Sequence, residues 1–276
     1  MTRTRVRALV AAVGATALLL ATAAPARAQF FTPASDLPVG EAYKVELMAG
    51  LWSPSPEITL SSDAFGIAGT EIDFGSDLGI GSERFGEVRL RLRPGRKHRF
   101  RIDYIPIRYT AQATVERRLV FRGIAYDVGV PVSSSISWDA WRLGYEYDLI
   151  HRSRGYFGVI LEARYTDIEA SLEAPFGREF TRARGPIPAI GGVLRLYPTR
   201  MFAIAGEFSV FRLPSDATLD EFSGEYIDYD FSAVFNLTEN FGVQGGYRSL
   251  DLNVTSSEDV GQMKLDGAYF GALVRF

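Results

Sequence analysis

Trp141-Arg142-Leu143-Gly144-Tyr145-Glu146-Tyr147-Asp148-Leu149 is the stretch on which the fold turns. Its odd positions are apolar or aromatic, and its even positions are charged or glycine. A period of two puts each set on its own face of an extended strand, whereas a helix would spread both around its circumference. Nine residues also match the length a tilted strand needs to cross a hydrocarbon layer. The same alternation appears on both sides of this stretch. Downstream, Phe157, Val159, Leu161, Ala163 and Tyr165 flank Glu162 and Arg164. Upstream, Phe100, Ile102 and Tyr104 flank Arg101 and Asp103, and Val88, Leu90 and Leu92 flank Glu87, Arg89 and Arg91. Residues 43–51, 190–196, 202–210, 227–235, 241–248 and 270–276 repeat the pattern. The sequence predicts about ten strands, with eight or twelve as the alternatives.

The connections between them are lopsided. Every second one is tight: Pro94-Gly95-Arg96, Ile150 to Arg154, Pro198-Thr199-Arg200 and Thr238-Glu239-Asn240. The others are long, near 53–83, 111–132, 174–184, 213–223 and 255–262, and are expected to be loops. Short turns at one end and long loops at the other describe an antiparallel up-and-down meander. In outer-membrane barrels the short end faces the periplasm.

Which face is apolar separates a soluble sandwich from a membrane barrel. Here the polar face carries charge on nearly every strand. The apolar face ends in aromatics: Trp141, Tyr147, Phe157, Tyr197, Phe235, Phe241 and Phe276. Aromatic girdles around a lipid-facing band give this distribution. The expected fold is all-β, a transmembrane antiparallel up-and-down β-barrel over 42–276.

Composition agrees. The 276 residues are 47% hydrophobic and 13% aromatic, too apolar for a disordered chain. Beyond the N-terminus there is no apolar run long enough for a membrane-spanning helix. With no cysteine, disulfides, thiol catalysis and Cys-ligated zinc are excluded. At the N-terminus Arg3, Arg5 and Arg7 precede the apolar stretch Ala8 to Leu20, and Ala26-Arg27-Ala28 is a small-x-small cleavage site. Residues 1–28 are read as an export signal cleaved after Ala28, with Ala26 and Ala28 as its recognition residues, and 29–41 as a short loose leader. Four of the 30 basic residues fall in the signal, which has no acid. The remainder therefore carries 26 bases against 33 acids. No basic excess supports a nucleic-acid partner.

The last strand carries the most specific motif, Gly271-Ala272-Leu273-Val274-Arg275-Phe276. Gly271, Val274 and the terminal Phe276 resemble the C-terminal assembly signal of bacterial outer-membrane barrels, and Tyr269 stands where that pattern has a polar residue. With the export signal and the alternation, the resemblance covers the whole mature chain. It is nearest to the small barrels of the outer-membrane protein A type, which have eight strands. It implies a monomer in the outer membrane, in contact with lipid and delivered to the barrel assembly machinery by its last strand.

The inward face carries the remaining chemistry. Glu46, Asp103, Glu146, Glu162, Glu207, Asp228 and Asp230 face Arg89, Arg91, Arg101, Arg142, Arg164, Arg195 and Arg248, seven acids for seven bases. Planar guanidinium groups suit paired packing in a confined space. Ten strands lie close to the size at which side chains fill a barrel. The expectation is a narrow, charge-filled lumen in a membrane-structural or surface-interacting protein; the alternative is a narrow porin-like channel. No enzyme is expected. The histidines, His98 and His151, fall at tight turns on the periplasmic side. Asp228, Asp230 and Asp251 lie toward the outer rim without a histidine, and Ser133-Ser134-Ser135 is a loop without a base. The acidic run Asp216, Asp220, Glu221, Glu225 lacks calcium-loop spacing, so no metal or cofactor is expected. The turn residues Arg93, Arg96, Lys97, Arg99, Arg152 and Arg154 make the periplasmic end basic. The glycine-rich first loop, around Ile72-Asp73-Phe74, is a candidate lid over the mouth.

Overall fold

The computed structural model describes residues 38–213, 223–256 and 259–276. The export signal, most of the leader and Asp216, Asp220 and Glu221 lie outside these residues. Thirteen strands are present: β1 (Val45–Ser62), β2 (Ile72–Asp73), β3 (Phe85–Leu92), β4 (His98–Thr114), β5 (Leu119–Phe121), β6 (Ile124–Tyr126), β7 (Pro131–Arg152), β8 (Gly155–Ala174), β9 (Gly177–Leu196), β10 (Phe202–Leu213), β11 (Ser223–Asn236), β12 (Phe241–Thr255) and β13 (Asp259–Arg275). Ten of them form one antiparallel ring in the order β1-β3-β4-β7-β8-β9-β10-β11-β12-β13. The ring closes by pairing β13 with β1 from Glu46↔Arg275 to Ser62↔Asp259. The sequence leads to ten, and ten strands form the barrel.

The strands are longer than the nine or ten residues their alternation marks. β7 runs for 22 residues, and β8 and β9 for 20 each. The reason is a reversal of polarity part-way up. On β4 the inward side chains are Arg99, Arg101 and Asp103, then Ile105, Ile107 and Tyr109. The outward ones are Phe100, Ile102 and Tyr104, then Arg108, Thr110 and Gln112. On β8 the outward Phe157 to Tyr165 gives way to Asp167 and Glu169, while the inward Glu162 and Arg164 give way to Ile168, Ala170 and Leu172. On β7 the switch falls between Ala140 and Trp141. Tyr104, Trp141 and Tyr165 are neighbours across the ladder, and the first two rings stack at 4.3 Å. Below this level the barrel is apolar outside and charged inside, as a hydrocarbon layer requires. Above it the barrel is apolar inside and polar outside, as in a soluble barrel.

Of the segments read as long loops, 53–62, 177–184 and 259–262 are therefore upper halves of strands, while 214–222 and 257–258 lie outside the described residues. Ser133, Ser134 and Ser135 belong to β7, and β8 meets β9 through Pro175 and Phe176 alone. The first long connection begins only after Ser62. Residues 63–84 and 115–130 are genuine connections, and both fold into the mouth. Ile72, Phe74, Leu78, Leu119 and Phe121 are fully buried there. The β5–β6 hairpin turns at Arg122 and Gly123, both with positive φ, the arrangement that suits a two-residue hairpin. Arg117 clamps the two segments together. It donates to Asp77 Oδ1 at 2.8 Å and to the Glu71 carbonyl at 2.7 Å.

Outside, the belt is bounded below by Phe202, Phe235, Phe241 and Phe276 and above by Trp141, Tyr165, Tyr229 and Tyr247, all exposed or half-exposed. A bulge at Asp148–Ile150 lets both Leu149 and Ile150 face outward. Tyr197 is not part of the belt. It is buried beyond the end of β9, over the guanidinium of Arg195.

Candidate functional site

The site is the lower interior of the barrel. Because parity along each strand is fixed, one inward residue carries every second residue with it. All fourteen residues read as lumen charges face the axis and take part in ion pairs. Parity also brings in charges that the sequence reading left out. Glu87, Asp148 and Arg275 continue the inward rows of β3, β7 and β13, and Glu41 enters from the leader. Arg93 and Arg99, read as part of a basic periplasmic turn, are 8% and 2% exposed and point inward. They continue the rows of Arg89/Arg91 and Arg101/Asp103. With these six the interior holds ten acids and ten arginines.

The pairs form layers. At the lowest level Arg99 donates to Glu146 at 2.6 Å and to Asp148 at 2.5 Å, and its guanidinium lies 4.0 Å from the Tyr156 ring centre. Arg275 donates to Glu46 at 2.5 Å and to Asn236 at 2.7 Å. One level up, Arg91 and Arg142 converge on Asp103, Arg142 and Arg164 share Glu162, and Arg164 and Arg248 share Asp228. Arg89 is held by Glu87 and, at 2.9 Å, by Asp230, which also accepts the Tyr269 hydroxyl at 2.7 Å. Tyr269, the residue that fits the terminal motif least well, thus acts as a polar lumen residue. Its ring lies against Gly246, where a Cβ would stand 2.7 Å from two ring atoms.

Several contacts run across the lumen rather than along its wall. Arg89 on β3 reaches Asp230 on β11, four strands away in a ring of ten, and Arg101 on β4 reaches Glu207 on β10, also four away. Five would be diametrically opposite. These side chains cross the lumen at this level. Just above them lies a void of about 20 Å³, lined by Asp103, Arg142, Arg164 and Arg248 below and by Trp52 and Trp138 above.

Residues 38–41 lie across the tight-turn end. They are not loose: Pro38, Gly40 and Glu41 are buried. Val39 N donates to the Arg200 carbonyl at 2.7 Å, and Gly40 N donates to Glu239 at 2.8 Å. Arg195 donates to the Glu41 carboxylate at 2.7 Å, and Arg93 donates to its carbonyl at 2.6 Å. No alternating pattern marks so short a segment, so the sequence signals the plug only through a lone acid beside an arginine-rich interior.

The remaining candidates separate. Asp228 and Asp230 belong to the lumen, whereas Asp251 faces outward on β12, so the three do not form an outer-rim cluster. His98 accepts or donates to Tyr145 at 2.6 Å, and His151 meets Asp148 at 3.0 Å, both at the tight-turn end. Among the described residues no group of acids and histidines is placed to hold a metal ion. Gly271 faces inward against the backbone of β1, where a Cβ would meet the Ala49 carbonyl at 2.7 Å. Val274 and Phe276 face outward. The backbone of Phe276 is tied into the seam, with its N–H donating to the Val45 carbonyl at 2.9 Å and its carbonyl accepting from Lys44 and Val45.

No family model and no curated relative matches the chain. Among solved structures, the outer membrane protease OmpT from Escherichia coli superposes with a TM-score of 0.52 at 9% sequence identity, over 84% of this chain and 96% of that one. The translocator domain of the autotransporter NalP from Neisseria meningitidis matches with a TM-score of 0.45 at 10% identity, covering 86% and 90%. Neisserial surface protein A matches with 0.34 at 14%, covering 84% and 97%. The likeness at these identities is one of fold, and the fold is the transmembrane β-barrel of bacterial outer membranes.

Proposed function

We propose that the protein is a sealed outer-membrane barrel with a membrane-structural or surface-interacting role, exported by its N-terminal signal. The observation that carries this reading is the pair of cross-lumen contacts, Arg89–Asp230 and Arg101–Glu207. In a channel, charges line the wall and leave the axis to water. Here guanidinium groups meet carboxylates from nearly opposite walls, and Pro38 to Glu41 are packed against the lower end. The reading includes a monomer, since the ring closes on itself and leaves no strand edge in the belt to pair with a second chain. It also includes recognition by the assembly machinery through Gly271, Val274 and Phe276, and no reaction. Both histidines sit at the tight-turn end, away from the mouth where a surface substrate would arrive.

The experiment is a conductance measurement on the refolded protein in a planar bilayer. The sealed reading expects no steady single-channel current. Stable, ion-selective steps would overturn it and make the protein a narrow porin-like channel.

A further inference from the structure

Above the charged layers the interior changes character. Trp52, Ile105, Ile107 and Trp138, all buried, form an apolar floor over the arginines. Above that floor lies a cavity of about 100 Å³. Its wall is built from two separate groups of strands: Ile136 of β7 with Ile168 and Ala170 of β8, and Leu252 of β12 with Met263 of β13 and Ile58 of β1. Phe74, fully buried, covers it from the 63–84 segment. Among the described residues, the one charged group at its edge is already engaged. Asp259 accepts from Thr181 at 2.9 Å and from Ser62, which leaves no free carboxylate oxygen to draw in an ion or a cluster of water.

The geometry points to a binding site for a small uncharged apolar molecule, of at most one six-membered ring. Protein interiors are otherwise close-packed, with few voids larger than a water molecule. A cavity walled by Leu, Ile and Phe stays dry, and one of roughly 150 Å³ accepts benzene or xenon. The present cavity is somewhat smaller, but the unbranched Met263 side chain can yield to a guest. The floor and the ion pairs beneath it make this a dead-end pocket on the extracellular side of the belt, so binding here is separate from passage through the barrel.

The test uses the full chain in lipid nanodiscs, with isotope-labelled isoleucine δ1 methyl groups and fluorobenzene as the probe. Ile58, Ile136 and Ile168 report on the cavity, and the lipid-facing Ile190 and Ile204 report on partition of the probe into the bilayer. Saturable shifts of the first set, beyond any seen in the second, are expected. Ala170→Leu fills the cavity and should weaken binding at least tenfold. Ala183→Leu, on the neighbouring strand β9 and paired with Ile168, serves if that variant does not fold. Ile168→Ala should extend the accepted probe to a two-ring hydrocarbon. Shifts that rise without saturation and equally in both sets overturn the inference, as do shifts that survive both filling variants. Neither outcome depends on whether the lumen conducts.

Discussion

Asp228→Ala is the perturbation that best tests the lumen network, and its effect can be worked out from who is left behind. Asp228 is 3% exposed and binds two arginines, Arg164 and Arg248, each at 2.7 Å. Arg164 keeps a second carboxylate, Glu162, at 2.6 Å. Arg248 has no other carboxylate partner among the described ion pairs and would rest against Trp52 with its charge uncompensated. Removing one member of a buried pair costs about 3–5 kcal/mol. At about 1.4 kcal/mol per tenfold, that is a loss of two to three and a half orders of magnitude in the folding equilibrium. Arg142→Ala is the contrast. Its three acids all keep another arginine: Asp103 keeps Arg91, Glu162 keeps Arg164 and Glu207 keeps Arg101. It should cost about 1–3 kcal/mol, nearer the loss of hydrogen bonds than of a charge partner. The double variant Asp228→Ala/Arg248→Leu should recover most of the first loss, because no charge remains unpaired. Reversible urea unfolding in lipid vesicles, followed by tryptophan fluorescence, measures all three. If Asp228→Ala costs no more than Arg142→Ala and the double variant recovers nothing, water fills the lumen and the sealed network is the wrong description.

Other outcomes follow from the same structure. The mature protein should fractionate with outer membranes and migrate faster in detergent gels before boiling than after; recovery from the periplasm without detergent counts against the barrel in a membrane. Deleting Phe276 removes three backbone hydrogen bonds at the β1–β13 seam, and should lower folded yield in the outer membrane more than Phe100→Ala does; equal yields would show the terminal motif to be incidental. Glu41→Ala leaves Arg195 without its carboxylate and should lower the melting temperature, whereas Glu57→Ala, on the outer surface, should not. The Arg117 hydrogen bonds hold the Asp77 carboxyl below its usual range, so the clamp on the mouth stabilises the fold above the ordinary carboxylate pKa of about 3.9 and is lost as pH falls through the depressed value. The protection of the Thr70 and Val120 amides, taken relative to the intrinsic exchange rate at each pH, should therefore be high at neutral pH and fall in acid, and Asp77→Asn should remove that dependence.

The lower half of the barrel was legible because two requirements coincide there. Lipid fixes an apolar outer face, the narrow lumen fixes a charged inner face, and a period of two records both. The rows of Arg89/Arg91 and Arg101/Asp103 stood out for that reason. Arg93 and Arg99 were missed because they flank Pro94-Gly95, and residues beside a turn signal are easily assigned to the turn. The upper half was hidden by the reversal itself. Beyond Tyr104 and Tyr165 the alternation persists with its sign changed, and Ser133-Ser134-Ser135 or Arg182-Ala183-Arg184 then look like loop composition. Tyr197 reads as a girdle residue because it is an aromatic at a strand end, although the strand has ended there and the chain turns inward. The plug formed by Pro38 to Glu41 depends on contacts more than 150 residues away, such as Glu41 with Arg195, which no local pattern can encode.

The level at which polarity reverses also fixes how deep the molecule sits. Raising the barrel by one inward–outward pair, about 7 Å along a strand, would draw Phe276, Phe241 and Phe235 off the lower headgroups into hydrocarbon and lift Trp141 and Tyr165 clear of the upper ones. Lowering it by the same amount would bring Asp167, Glu169 and Arg182 into hydrocarbon. Either displacement is opposed all round the circumference, so the protein has a waterline written into its strands. A membrane thinner or thicker than the belt would have to deform around the barrel, because tilting would lower one side of the outward charges, such as Asp167 and Arg182, into hydrocarbon.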